Sequence, residues 1–139
     1  MFSKIMVAPF LLPLALVAAD VVVSVSGVAS DQGEIGCALF REAVGFPLDA
    51  TRASQIWVKA KAGEVECRFA QLSPGAYAVS VVHDMNKNRK TDTGFMGRPK
   101  ENWGVTNNVR PKLRAPNFEE ARFAVREGET VRQEVKLGQ

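Results

Sequence analysis

Apolar and polar residues alternate with a period of two through most of this chain, the pattern of strands with one buried face. Val21, Val23 and Val25 alternate with Val22, Ser24 and Ser26. The same reading places strands over 34–41, 55–61 and 64–70, with Ala62-Gly63 turning the chain between the last two. Leu72-Ser73-Pro74-Gly75 carries Pro and Gly in the order a type II turn prefers, and Tyr77, Val79 and Val81 follow as a strand that ends at His83. Residues 45–54 hold Pro47 and Asp49 and read as a loop with at most one helical turn. Residues 84–117 show little periodicity and many Gly and Pro, which makes one long loop. Residues 118–121 fit a short helical turn that Asn117 would cap. A strand around 121–126, the turn Glu127-Gly128-Glu129 and a strand over 130–137 complete the chain. About seven short strands with turn signals between them predict a single all-β sandwich. No helix-period segment is long enough to build a bundle or an α/β core.

Residues 1–19 stand apart from this alternation. Lys4 precedes an apolar run over 5–17 that contains Pro9 and Pro13, and Val17-Ala18-Ala19 offers small residues for cleavage. That is the pattern of a secretory signal peptide, and the run is short for a bilayer span. An uncleaved anchor is the alternative. No Cys follows the run, so a lipoprotein is not expected. The expected mature protein is one domain, 20–139, exported to the periplasm or beyond, without a transmembrane segment and monomeric.

Charge divides unevenly along the chain. Residues 20–86 carry five Lys/Arg and eight Asp/Glu, a net of −3, whereas 87–139 carry twelve and seven, a net of +5. A basic half suits an anionic partner; scattered charges also suit a solvated face, and that plainer reading is preferred. No basic run is interleaved with aromatics, so nucleic acid is not a predicted partner.

The two cysteines, Cys37 and Cys67, fall on the inward positions of different strands. In an oxidising compartment a disulfide between two sheets is the leading reading, and two buried thiols are the alternative.

The densest chemistry lies in the segment His83-Asp84-Met85-Asn86-Lys87-Asn88-Arg89-Lys90-Thr91-Asp92. Asp84, Asn86 and Asn88 recur at alternate positions, Asp92 follows, and the Lys90 carbonyl would be a fifth oxygen: the spacing of a calcium loop. Arg89 stands where such a loop wants Gly, and Phe95 where it wants a bidentate carboxylate. The plainer reading is an Asx-rich turn. Further along, Lys100, Glu101, Trp103, Asn107 and Asn108 combine charges, an indole and two amides able to contact a glycan or a protein. Alternatively Trp103 pins the loop and the amides satisfy its backbone. His83 is the single histidine, and Asp84 projects to the opposite side of the strand, so the two make a poor catalytic pair. Zinc would need several His or Cys ligands, which the chain lacks.

Two resemblances arise from these residues. Phe69, Leu72, Pro74-Gly75, Tyr77, Val79 and Val81 resemble the turn-and-strand signature of transthyretin-like (prealbumin-like) sandwiches. A longer string resembles the bacterial DUF2141 family of exported domains. It runs from Gly27, Gly33, Leu39-Phe40 and Gly45-Phe46-Pro47 through the Leu72–Val81 signature to His83-Asp84, Asn86, Asn88 and Asp92. It continues in Gly97, Pro99-Lys100-Glu101, Trp103-Gly104, Asn107-Asn108, Pro116, Phe118-Glu119 and Ala121. The family pattern favours Gly within the Asn-x-Asn-x stretch, where this chain has Lys87 and Arg89. The resemblance implies an extracytoplasmic β-sandwich, transthyretin-like or immunoglobulin-like, and carries no activity with it.

Together these features predict a non-enzymatic binding or structural module with its working surface on the loop 84–108 and no cofactor. A module whose weakly bound calcium orders that loop is second. A hydrolase is third, for want of a nucleophile-base set or placed carboxylates.

Overall fold

The computed structural model describes residues 3–9, 17–89 and 101–139. Among them eight strands form two sheets: β1 (Ala19–Val28), β2 (Glu34–Phe40), β3 (Ser54–Lys59), β4 (Gly63–Leu72), β5 (Gly75–Asp84), β6 (Trp103–Val105), β7 (Phe123–Val125) and β8 (Thr130–Lys136). The all-β sandwich expected from the alternation is the fold observed. None of the helices among the described residues is long and apolar enough to cross a membrane.

The smaller sheet has the order β4-β1-β8. β1 lies antiparallel to β4 and parallel to β8. Val22 faces away from the core of the other β1 valines yet is itself buried, which explains why β1 reads as nearly continuous valine. The larger sheet has the order β3-β2-β5-β6, with β7 also pairing with β5. β6 holds β5 at Ser80 to Val82, and β7 holds it at Gly75 to Tyr77. Between them the Thr106 hydroxyl accepts the Val79 N–H at 3.1 Å and donates to the Ala121 carbonyl at 2.5 Å. A buried hydroxyl thus fills the gap in the ladder where a backbone donor would otherwise be orphaned.

The inner faces of the two sheets meet over Val21, Val23, Val25, Ile35, Leu39 and Val79. The disulfide joins Cys37 of β2 to Cys67 of β4 across this core, closing a loop with a sequence separation of 30. A loop of that length stabilises by roughly 2–4 kcal/mol in the chain-entropy account. Ala19, the last residue of the expected leader, is buried and pairs with Leu72.

A second, smaller cluster lies on the outer face of the five-stranded sheet. Phe40, Ala78 and Val105 are covered there by Phe118 and Ala121 of the single helical turn α1 (Phe118–Ala121). Phe46, from the loop after β2, meets Phe40 and Phe118 edge-on at 5.2 and 6.1 Å. α1 starts as its sequence suggests. The Asn117 side chain accepts the Glu120 N–H, and the Glu120 side chain accepts the Asn117 N–H, a reciprocal capping box.

Three expectations are corrected. The stretch 84–117 is not loop throughout, because β6 pairs with β5 inside it and a 3-10 turn follows at Thr106–Asn108. The turn after β4 is not type II, because that type needs a positive φ that Gly75 does not adopt; Gln71 takes φ 60° instead. Asp84 is fully buried as the last residue of β5, not part of an exposed loop. The turn between β1 and β2 lies against it so closely that a Cβ on Gly33 would stand 2.1 Å from the Asp84 carbonyl oxygen.

Candidate functional site

Strand β2 turns Gly36, Ala38 and Phe40 to the outer face of the five-stranded sheet. Only the Phe40 end is covered by α1 and Phe46. The other end has a floor of small and medium residues, Gly36, Ala38, Ser80 and Val82, beneath a groove of about 1090 Å³. That volume is on the scale of small-molecule sites, roughly 300–1,000 Å³.

A tryptophan stands at each side of this floor. Trp57 of β3 pairs with Gly36 across the ladder, and its six-membered ring lies over that glycine. A Cβ on Gly36 would come within 2.6 Å of the ring, so the absence of a side chain is what lets the indole lie down. Trp103 of β6 pairs with Val82. Each ring is half-buried and carries an arginine over it: Arg89 at 5.3 Å from the Trp57 centroid and Arg110 at 4.1 Å from the Trp103 centroid. The walls come from residues 47–51 and 110–116.

The charges of the groove differ in how they are compensated. Arg89 holds Glu34 through two bonds of 3.2 Å. Arg114 holds Glu120 at 2.6 and 3.2 Å. Hydrogen bonding to Arg114 draws the Glu120 carboxyl below its ordinary value, and the same bond raises Arg114. Asp49, the acidic residue of the walls, lies 3.9 Å from Arg52 and also accepts the Thr51 hydroxyl. Arg110 donates to the Trp103 carbonyl, and desolvation lowers its pKa. Among the described residues it has no ion-pair partner.

Of the described residues expected to bind ligand, Trp103 reaches the groove and the amides of Asn107 and Asn108 are engaged elsewhere. The Asn107 amide donates to the carbonyls of Glu120 and Arg122 at 3.0 and 3.1 Å, and the Asn108 amide oxygen accepts the Lys136 N–H at 2.9 Å. Both amides therefore latch their segment to α1 and β8. Glu101 is half-buried just before β6, and Lys100 lies outside the described residues.

The expected calcium ligands are described only in part, since Lys90 and Asp92 also lie outside the described residues. One oxygen of Asp84, Oδ2, accepts the Arg89 N–H at 2.5 Å; the other, Oδ1, is buried with no hydrogen-bond partner among the described residues. Asn86 accepts the Asn88 N–H at 3.2 Å, an Asx turn. No group of three or more His, Cys, Asp or Glu gathers as a metal site among the described residues. His83 is fully buried, and its Nε2 donates to the Gln32 carbonyl at 2.6 Å. Its Nδ1 is buried with no hydrogen-bond partner among the described residues.

A bacterial family model, "Uncharacterized protein conserved in bacteria (DUF2141)", matches residues 23–133, which include both tryptophans and Arg110. The chain belongs to the DUF2141 family. No curated protein and no solved structure matches it. In the turn after β5, Lys87 and Arg89 have φ values of 56° and 54°, the left-handed region that glycine enters most easily.

Sequence reasoning missed most of the groove. Gly36, Trp57, Ser80, Val82 and Arg110 carry no motif among themselves and meet only through strand register. The one available signal was Gly36, a glycine inside a strand pattern, which marks a bulge or a close approach.

Proposed function

We propose that this DUF2141 domain is an exported, non-enzymatic binding module that takes a small organic ligand in the groove on its five-stranded sheet. The observation that carries this reading is the floor of Gly36, Ala38, Ser80 and Val82 held open between Trp57 and Trp103. Rigid indoles around a recess of this size suit binding, because they supply contact area at low entropic cost. The working surface thus shares Arg89 and Trp103 with the stretch 84–108 and is completed by β2, β3 and the two walls. Export is supported by the disulfide, which suits an oxidising compartment, and by the leader pattern of residues 1–19.

The test uses the neutral fluorophore N-phenyl-1-naphthylamine. The intact protein is expected to bind it with enhanced emission, and Trp57→Ala to weaken that binding about fivefold or more, by analogy with the loss of one aromatic anchor. No emission change with the native protein would end the groove reading.

A second reading, calcium held at the end of β5, draws support from the buried Asp84 Oδ1, without a hydrogen-bond partner among the described residues, and from the left-handed φ of Arg89 at the position where calcium loops turn. An ion bound by the native state alone must raise the melting temperature with concentration. An unchanged melting temperature in several millimolar calcium would remove this reading.

A further inference from the structure

Building on the groove reading, we infer that the ligand is a small organic anion, an apolar or aromatic body bearing one carboxylate- or phosphate-type head, and that Arg110 receives the head. The argument is one of charge compensation. The guanidinium groups of Arg89 and Arg114 both line the groove, and each already holds a carboxylate, Glu34 and Glu120. Asp49 is occupied by Thr51 and Arg52. Arg110 alone among these arginines has no acidic partner among the described residues, although it lines the same groove.

Its position makes that charge useful. The guanidinium lies 4.1 Å over the Trp103 ring and gives one bond to the Trp103 carbonyl. An arginine carries five N–H donors, so most remain for a ligand, and its planar fork matches two oxygens of a carboxylate or phosphate. The indole beneath removes water from one side, as the lowered pKa reflects, which strengthens attraction to an anion there. The apolar part of such a ligand would lie over Val82, towards Trp57. Both requirements, a cation stacked on an indole and a mostly apolar recess, thus occur side by side.

Two probes sharing one ring system separate this inference from the groove reading itself. 8-Anilinonaphthalene-1-sulfonate carries an anionic head, and N-phenyl-1-naphthylamine lacks it. Arg110→Gln is expected to weaken binding of the sulfonate about tenfold or more, the usual range for one lost charge-assisted bond, and to weaken the neutral probe several-fold less. Arg110→Lys, which keeps the charge without the fork, is expected to fall between. Unchanged sulfonate affinity in Arg110→Gln would overturn the inference, and so would an equal loss for both probes, since that reports damage to the groove rather than loss of an anion contact. If the native protein binds the neutral probe but its sulfonate affinity is insensitive to salt, the anion inference fails and the groove reading stands. If it binds neither probe, both fail.

Discussion

The outer face of the five-stranded sheet is built differently at its two ends. Towards the end of β2, Phe40 lies with Ala78 under Phe46, Phe118 and Ala121. Towards its start, Trp57 lies over Gly36, Val82 lies between it and Trp103, and the space above is a groove. The backbone is the same continuous ladder in both places. Side-chain volume makes the difference: along β2 the outward residues grow from Gly36 through Ala38 to Phe40. One strand therefore contributes a core at one end and a recess at the other.

The largest expected effect sets the two ends directly against each other. Phe40→Ala should cost about 3–5 kcal/mol in urea unfolding, as for a fully buried aromatic, whereas Trp57→Ala should cost about 1 kcal/mol. Equal losses would mean that the groove end is core as well. Next comes the hinge between the ends. Thr106→Val should lose about 1–3 kcal/mol in the same assay, because the Val79 N–H and the Ala121 carbonyl are left buried without their partner. A loss near zero would detach α1 and its aromatic cover from the account. Gly36→Ala should be milder, about 1 kcal/mol, since its Cβ meets the Trp57 ring rather than backbone. It should also shift tryptophan fluorescence and weaken binding of the neutral probe. Intact binding would show that the indole's resting place does not shape the groove.

The smallest effect concerns the wall that ties the groove to α1. The folded carboxyl of Glu120 is held below its unfolded value by Arg114. Its contribution is therefore present above the unfolded pKa and is lost as pH falls through the folded one. A carboxyl-carbon NMR titration should place the Glu120 midpoint below that of an ordinary glutamate. A midpoint at or above the ordinary value would show that the 110–116 wall is not anchored there.

The strands were legible because period-two patterning reports a buried face whatever the partner. Val21, Val23 and Val25, or Tyr77, Val79 and Val81, needed no knowledge of topology. The Asn117 cap was legible as a local pattern with one geometric outcome, and the disulfide was the leading reading because both cysteines fall on inward positions of their strands. Asp84 was misread because a carboxylate beside asparagines looks exposed; its burial comes from Gly33, far back in the chain, pressing on its backbone. Asn107 and Asn108 look like ligand contacts in sequence, and only the positions of α1 and β8 show where their amides go. The groove was least legible of all. Its floor is the outward half of two strands, small and medium residues without a motif, and its cation and two indoles come from three separate segments.

The parallel pairing of β1 with β8 has a consequence for the order in which the chain can assemble. Asp20 meets Thr130, so the first strand is hydrogen-bonded on one edge to the last. Non-local pairing of this kind raises contact order and slows folding. Until residues 130–136 arrive, β1 has β4 on one side and an open, valine-rich edge on the other. A chain threaded through an export channel from its N-terminus would present that edge throughout passage, a natural foothold for a holding chaperone.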